Sequence, residues 1–448
     1  MAGSTSTTPA AQAPPGANST RRVVIASLVG TAIEFYDFYI YATAAVLVFG
    51  PLFFTSDDPT TEDLAALATF AIAFVARPIG SALFGHFGDR VGRKATLVGS
   101  LLTMGISTVL IGLLPTYGSV GLLAPVLLCV LRFGQGLGLG GEWGGAALLA
   151  TENAPRGRRG LFGSFPQLGA PIGFFFANGV FLLLTTTLTE EQFLSWGWRV
   201  PFLLSALLVG VGLYVRLQLS ETPAFQRVLA AGERERVPVA AVFRRSPGAL
   251  VRGTLIMLAT YVLFYFMTVF SLSHGTTPAA EGGLGFSRSE FLVLLMTAVV
   301  FFGITTPVSG LLADRFGRRP TLLVVTVAIA VFGLLFGPLF SSRSTPLVLV
   351  FLVVGLALMG LTYGPMGAQL PELFPTAVRY TGASIAYNVG GILGASFAPT
   401  IAAALVQRGG VGLVGLYLSG AAVITLIALL ATRETRDVDL QAVDSARR

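Results

Sequence analysis

The stretch GHFGDRVGRK, Gly85 to Lys94, places one acid and three bases in a short turn between two long apolar runs. Its chemistry recurs as GLLADRFGRR, Gly310 to Arg319, with the same apolar flanks. Aligning Asp89-Arg90 with Asp314-Arg315 gives an offset of 225 in a chain of 448 residues. A repeat of that period implies two similar halves, each a bundle of apolar helices. A charged turn between helices of spanning length is stable at a membrane surface. There Asp89 can accept from helix N-terminal N–H groups, while Arg90, Arg93 and Lys94 face anionic headgroups. Gly85, Gly88 and Gly92 give the loop its small residues, and Gly88 and Gly92 permit a tight reversal. In the second copy Asp314, Arg315, Arg318 and Arg319 take the same places.

Composition agrees. Of the residues, 54% are hydrophobic and 11% charged, with a mean hydropathy of +0.77, whereas soluble domains carry about 25% charged residues. The chain reads as an all-α integral membrane protein. Cys129, the sole cysteine, lies in an apolar run, so neither a disulfide framework nor a thiolate metal site is expected. The net charge of +7 is strung between apolar segments and forms no basic domain, which argues for membrane orientation and against nucleic acid. Residues 1–20 are rich in Ser, Thr, Ala and Pro and read as a disordered tail without a signal-peptide pattern.

A span needs roughly 20 apolar residues. Twelve are read, at 22–50, 63–86, 95–114, 121–150, 160–184, 199–217, 252–274, 289–312, 320–340, 346–370, 380–405 and 411–431. They divide into an N-terminal six-helix bundle, 21–217, and a C-terminal one, 252–431, joined by a polar linker, 218–251, and followed by a tail, 432–448. With the N-terminus inside, 23 bases fall to the cytoplasm and only Arg199, Arg288, Arg343 and Arg408 to the other face. That asymmetry places both termini in the cytoplasm.

A second echo supports the duplication. TENAPRGRRG at 151–160 and PELFPTAVRY at 371–380 pair Glu152 with Glu372, Pro155 with Pro375 and Arg159 with Arg379. Each segment joins the fourth and fifth helix of its half. Because they occur twice, these residues and the signature-loop residues read as gating and scaffold elements.

Ionisable residues near the bilayer centre cost about 2.5–3.5 kcal/mol each on insertion scales, so each needs a reason. Five stand out: Glu34 and Asp37 in the first span, Arg77 in the second, Arg132 and Glu142 in the fourth. Glu34, Asp37 and Tyr41 share one helix face, as do Arg132, Gln135, Leu139, Glu142 and Trp143. Spans seven to twelve carry no comparable charge and offer Tyr261, Tyr265, Tyr363, Gln369, Tyr387 and Asn388 instead. These charges could simply neutralise one another and lock helices together. As an aligned inward set they would line a cavity, with Glu34, Asp37 and Glu142 as proton carriers and Arg77 and Arg132 gripping a substrate carboxylate. Gln135, Tyr41, Tyr261, Tyr265, Tyr387 and Asn388 complete the candidate binding set.

The fourth span, RFGQGLGLGGEWGG, matches G-x-G-x-x-G but lacks a surrounding βαβ unit, so its glycines read as a close helix contact. Pro166 and Pro171 are expected to bend the fifth. The only lysine, Lys94, is in no P-loop, and no ATP-driven machine is expected. His86 and His274 are far apart and suggest no metal site. No nucleophile–base pair marks an enzyme, and no cofactor is implied.

The pattern G-x-x-x-D-R-x-G-R-[RK] after one helix of each half resembles the signature loop of the major facilitator superfamily. GTAIEFYDFYIYA, ARPIGSALFGHFGDRVGRK, RFGQGLGLGGEWGGA and SETPAF are similar to phrases of its metabolite:proton symporter family. The resemblance spans the membrane region and implies proton-coupled uptake by alternating access across a bacterial inner membrane. It matches the family's first-helix acids to Glu34 and Asp37, its second-helix arginine to Arg77, and its R-x-x-Q-G element to Arg132, Gln135 and Gly136. This chain has Phe35 where the family usually has Trp, and its short tail has no sustained heptads. The leading expectation is a monomeric importer of a small organic acid, shikimate-like or a dicarboxylate such as 2-oxoglutarate. A proline/betaine-type zwitterion symporter, a drug/proton antiporter and a transport-dead sensor are the alternatives.

Overall fold

A computed structural model of the chain describes residues 20–54, 59–218 and 238–438. The side chains of Asp89, Arg90 and Arg93 lie outside the described residues, as do residues 1–19, 219–237 and 439–448.

Among the described residues twelve long helices carry the fold. In the first half they are α1 (Arg22–Phe53), α2 (Pro59–Arg90), α3 (Lys94–Leu113), α4 (Leu123–Glu152), α5 (Arg159–Thr187) and α6 (Gly197–Leu217). The second half has α7 (Pro247–Thr276), α8 (Arg288–Phe316), α9 (Arg318–Phe340), α10 (Thr345–Glu372), α11 (Thr376–Gly409) and α12 (Val411–Leu430). Eleven meet the length and hydropathy of a membrane span among the described residues. The remaining one, α2, has 32 residues, about 48 Å at 1.5 Å per residue. Large apolar side chains such as Leu122, Leu207, Val324 and Ile427 are exposed around the bundle. In lipid that surface is matched to its solvent, with the backbone satisfied inside each helix.

The two halves use the same pairings. In the first, α1 packs on α5, α2 on α4 and α3 on α6; in the second, α7 packs on α11, α8 on α10 and α9 on α12. The halves meet along two seams, α2 against α11 and α5 against α8. Backbone detail repeats as well. Gly92 (φ +127°) and Gly317 (φ +105°) precede α3 and α9 in a conformation that favours glycine. Of the two glycines expected to make the first reversal, Gly92 does so. Gly88 lies inside α2, where an added Cβ would meet Tyr380 and Thr96.

The π-helical turns are not marked in the sequence, whereas the break in α5 falls between Pro166 and Pro171, the prolines expected to bend it. Single π-helical turns interrupt α1 at Ala45–Phe49 and α7 at Phe266–Phe270, at corresponding places in the two halves. Such turns loosen the regular hydrogen-bond ladder without ending the helix. In α5, Pro171 cannot donate to Gln167, and the helix is broken at Leu168 between Arg159–Gln167 and Gly169–Thr187. The Thr31 hydroxyl donates to the Pro166 carbonyl at 2.8 Å, tying the break to α1. The glycines of α4 serve close approach: a Cβ at Gly136 would lie 2.7 Å from Ala73 Cα, and one at Gly140 2.8 Å from the Arg77 carbonyl carbon. Arg77 is thereby fixed against α4.

Candidate functional site

Between the halves, near the middle of the spans, lies a cavity of about 20 Å³. Arg77 lines it from α2, Phe38 and Tyr39 from α1, Tyr261 and Tyr265 from α7, Tyr363 from α10 and Tyr387 from α11. That volume is near what one water occupies, so the halves leave no room for a metabolite between them. A second cavity of about 30 Å³ adjoins it and extends the path past Thr43, Asn178 and Thr268. Among the described residues that line the two, Arg77 is the only cation and none is a carboxylate.

The two arginines share one ring. The Arg77 guanidinium lies 4.4 Å from the centroids of both Phe38 and Phe74. That of Arg132 lies 4.7 Å from Phe38 and 3.8 Å from Tyr41. Such faces stabilise a cation where water cannot reach it. Arg77 reaches the cavity and Arg132 does not. Arg132 donates to Gln135 (3.0 Å), and Gln135 donates to the Thr108 hydroxyl (2.7 Å). Thr108 in turn donates to the Met104 carbonyl at 3.0 Å, and Ser205 donates to the Asp37 carboxylate at 2.5 Å. Tyr41, whose hydroxyl donates to Thr69 at 2.6 Å, and Gln135 therefore support Arg132 and do not line the cavity.

Glu34 and Glu142 belong to a different cluster. Arg216, near the end of α6, pairs with Glu34 at 3.0 Å and with Glu142, and donates to the Leu97 carbonyl at 2.5 Å. Ser100 donates to the second Glu142 oxygen at 3.1 Å. All three charged side chains are buried. The orientation count placed Arg216 in the cytoplasmic loop; it lies inside the bundle instead. The apolar run LLVGVGLYV leading up to Arg216, with Leu217 and Leu219 after it, was the available signal. So the five intramembrane charges do not form one aligned set. Only Arg77 faces the cavity, Asp37 is held by the Ser205 hydroxyl, and Glu34 and Glu142 share a third arginine.

On the signature-loop side the halves are in direct contact. Asp314 accepts from the Gly160 and Leu161 amides at 2.7 and 2.8 Å, so the acid of the second loop caps α5 of the opposite half. Arg318 joins Asp314 (3.0 Å) to Glu372 (3.2 Å). The tail closes this network: Glu434 accepts from the Arg318 and Arg319 amides, each at 2.9 Å, and Thr435 donates to Glu372 at 2.6 Å. Arg159 donates to the Val438 carbonyl at 2.8 Å. Arg379 is buried and donates to the Phe374 carbonyl and Thr376, Glu152 is partly buried, and Arg315 is exposed against Phe316. In the first loop Lys94 donates to the Leu217 carbonyl at 2.6 Å.

Nearer the cavity the seam is aromatic and polar. Trp143 of α4 stacks on Tyr387 of α11, 4.0 Å between centroids and 6° between planes. Gln167 holds the Trp143 indole (2.8 Å) and donates to the Tyr363 carbonyl (3.0 Å), and Tyr363 and Tyr387 share a hydrogen bond of 2.8 Å. Asn388, read as a substrate ligand, instead donates across the seam to Ser81 at 2.6 Å. It belongs to the closed gate.

The family model "Sugar (and other) transporter" matches twice, over residues 23–237 and 231–446. The inner membrane metabolite transport protein YhjE of Escherichia coli K12 is 62% identical over 94% of this chain and 96% of that protein. The chain belongs to the major facilitator superfamily. The shikimate transporter of the same organism is 36% identical, covering 93% of this chain and 95% of the relative; its proline/betaine transporter is 34% identical, at 95% and 86%. Among solved structures, the proton:xylose symporter XylE bound to 6-bromo-6-deoxy-D-glucose superposes with a TM-score of 0.79, at 17% identity, over 96% of this chain and 99% of that one. The inward open conformation of the E. coli xylose transporter XylE gives 0.68 at 16% identity, over 96% and 100%. The two matches of the family model reflect the duplication read from the signature loops. The protein is a multi-pass metabolite transporter, not an enzyme.

Proposed function

We propose that this transporter takes up a small carboxylate together with a proton across a bacterial inner membrane, with both termini cytoplasmic. The single observation that carries the reading is the Arg77-lined central cavity, which pairs one guanidinium with several tyrosine hydroxyls and no described carboxylate. A buried guanidinium without an acid beside it is matched to an incoming anion. The tyrosines and Thr260 supply neutral hydrogen-bonding groups for the rest of the ligand.

Asp37 is the proton carrier in this reading. Its partner is the Ser205 hydroxyl, so it can gain or lose a proton without breaking an ion pair. Substrate and proton bind when the halves part on the side opposite the signature loops. Occlusion follows, and opening of the gate then releases both. Glu34 and Glu142, paired with Arg216, brace the first bundle.

Uptake of a radiolabelled carboxylate into proteoliposomes under an imposed pH gradient tests the reading. Accumulation is expected and should vanish with a protonophore; accumulation that persists would reject the coupling.

A further inference from the structure

The central site carries a second guanidinium that its cavity does not reach. Arg132 is fully buried and held to Gln135 and Tyr41. The Phe38 ring, itself 2% exposed, lies against both Arg132 and Arg77 and lines both central cavities. The ring satisfies two like charges through its face while presenting carbon to the ligand.

We infer that Phe38 is the specificity-determining residue that hides Arg132 and restricts the site to hydroxylated monocarboxylates, excluding dicarboxylates; this rests on the carboxylate-uptake reading above. A monoanion is balanced by Arg77 alone. A dianion in the same occluded space would leave its second carboxylate buried without a cation, an arrangement that is strongly unfavourable. The hydroxyls of Tyr261, Tyr265, Tyr363 and Tyr387 suit ligand hydroxyl groups, which carry both a donor and an acceptor. Replacing Phe38 with a small side chain removes the screen and brings Arg132 to the cavity wall, where it can meet a second carboxylate.

Isothermal titration of the purified full-length protein reads this directly, with gluconate, quinate and shikimate as monocarboxylate probes and malate and 2-oxoglutarate as dicarboxylate probes. In the wild type at least one monocarboxylate should bind tenfold or more tighter than either dicarboxylate, a comparison that needs no variant. F38A should narrow that ratio at least tenfold through a gain in dicarboxylate affinity, and F38A/R132Q should lose the gain. Equal or tighter dicarboxylate binding by the wild type would overturn the inference while leaving carboxylate uptake standing. So would an F38A protein that weakens both classes alike. Failure of every carboxylate probe to bind the wild type would overturn the uptake reading itself.

Discussion

Arg77 and Arg216 are both buried arginines of the first half, yet their surroundings set opposite expectations. Arg216 holds two acids, and removing one partner of a buried ion pair typically costs about 3–5 kcal/mol. R216Q should therefore lower the melting temperature in detergent markedly, whereas R77Q, whose guanidinium rests on Phe38 and Phe74, should melt closer to the wild type while losing uptake. Equal melting losses in the two would contradict this division of roles. The sequence showed that these charges needed explaining, because depth in an apolar run is legible from spacing alone. It did not show which acid met which base. Glu34 and Asp37 are three residues apart on α1, yet one faces Arg216 and the other Ser205. Both partners lie on α6, so the pairing is set by the register of α1 against α6 and α4, a tertiary property.

At the scale of elements, the second signature loop acts through a helix end. Asp314 accepts from the second and third amides of α5, those of Gly160 and Leu161, and an N-cap of this kind contributes about 0.5–2 kcal/mol. D314N keeps the side-chain volume but loses the charge and an acceptor oxygen, so it should weaken closure on this side. Cysteines placed at Ser81 and Ser384, both buried at the seam, should then react faster with a membrane-permeant maleimide than in the unaltered background. An unchanged labelling rate would show that the cap does not hold the gate. The loop motif was legible because its residue types recur at a fixed offset. The π-helical turns Ala45–Phe49 and Phe266–Phe270 were not, since no residue type marks a locally loosened ladder. Nor was the return of Glu434 and Thr435 to the gate; the tail read as polar chain because its partners lie on α9 and α10.

Across the whole molecule, the halves touch on the signature-loop side and enclose only a water-sized space at the centre. The duplicated motif made the two-bundle architecture legible, whereas the closed seam depends on packing that no local pattern encodes. A Cβ at Gly85 would lie 3.6 Å from Thr381 Cβ across the α2–α11 seam, within the range that a disulfide spans. The pair G85C/T381C in a C129S background should cross-link under mild oxidation, arrest transport and recover on reduction. Transport that continues in the cross-linked protein would mean that this seam need not open. The proposed cycle assigns the coupled proton to Asp37. The most direct measurement is uptake by D37N proteoliposomes, comparing accumulation driven by a pH gradient with exchange of labelled for unlabelled substrate at uniform pH. Loss of gradient-driven accumulation with exchange retained is expected; accumulation at the wild-type level would contradict the assignment of the proton to Asp37.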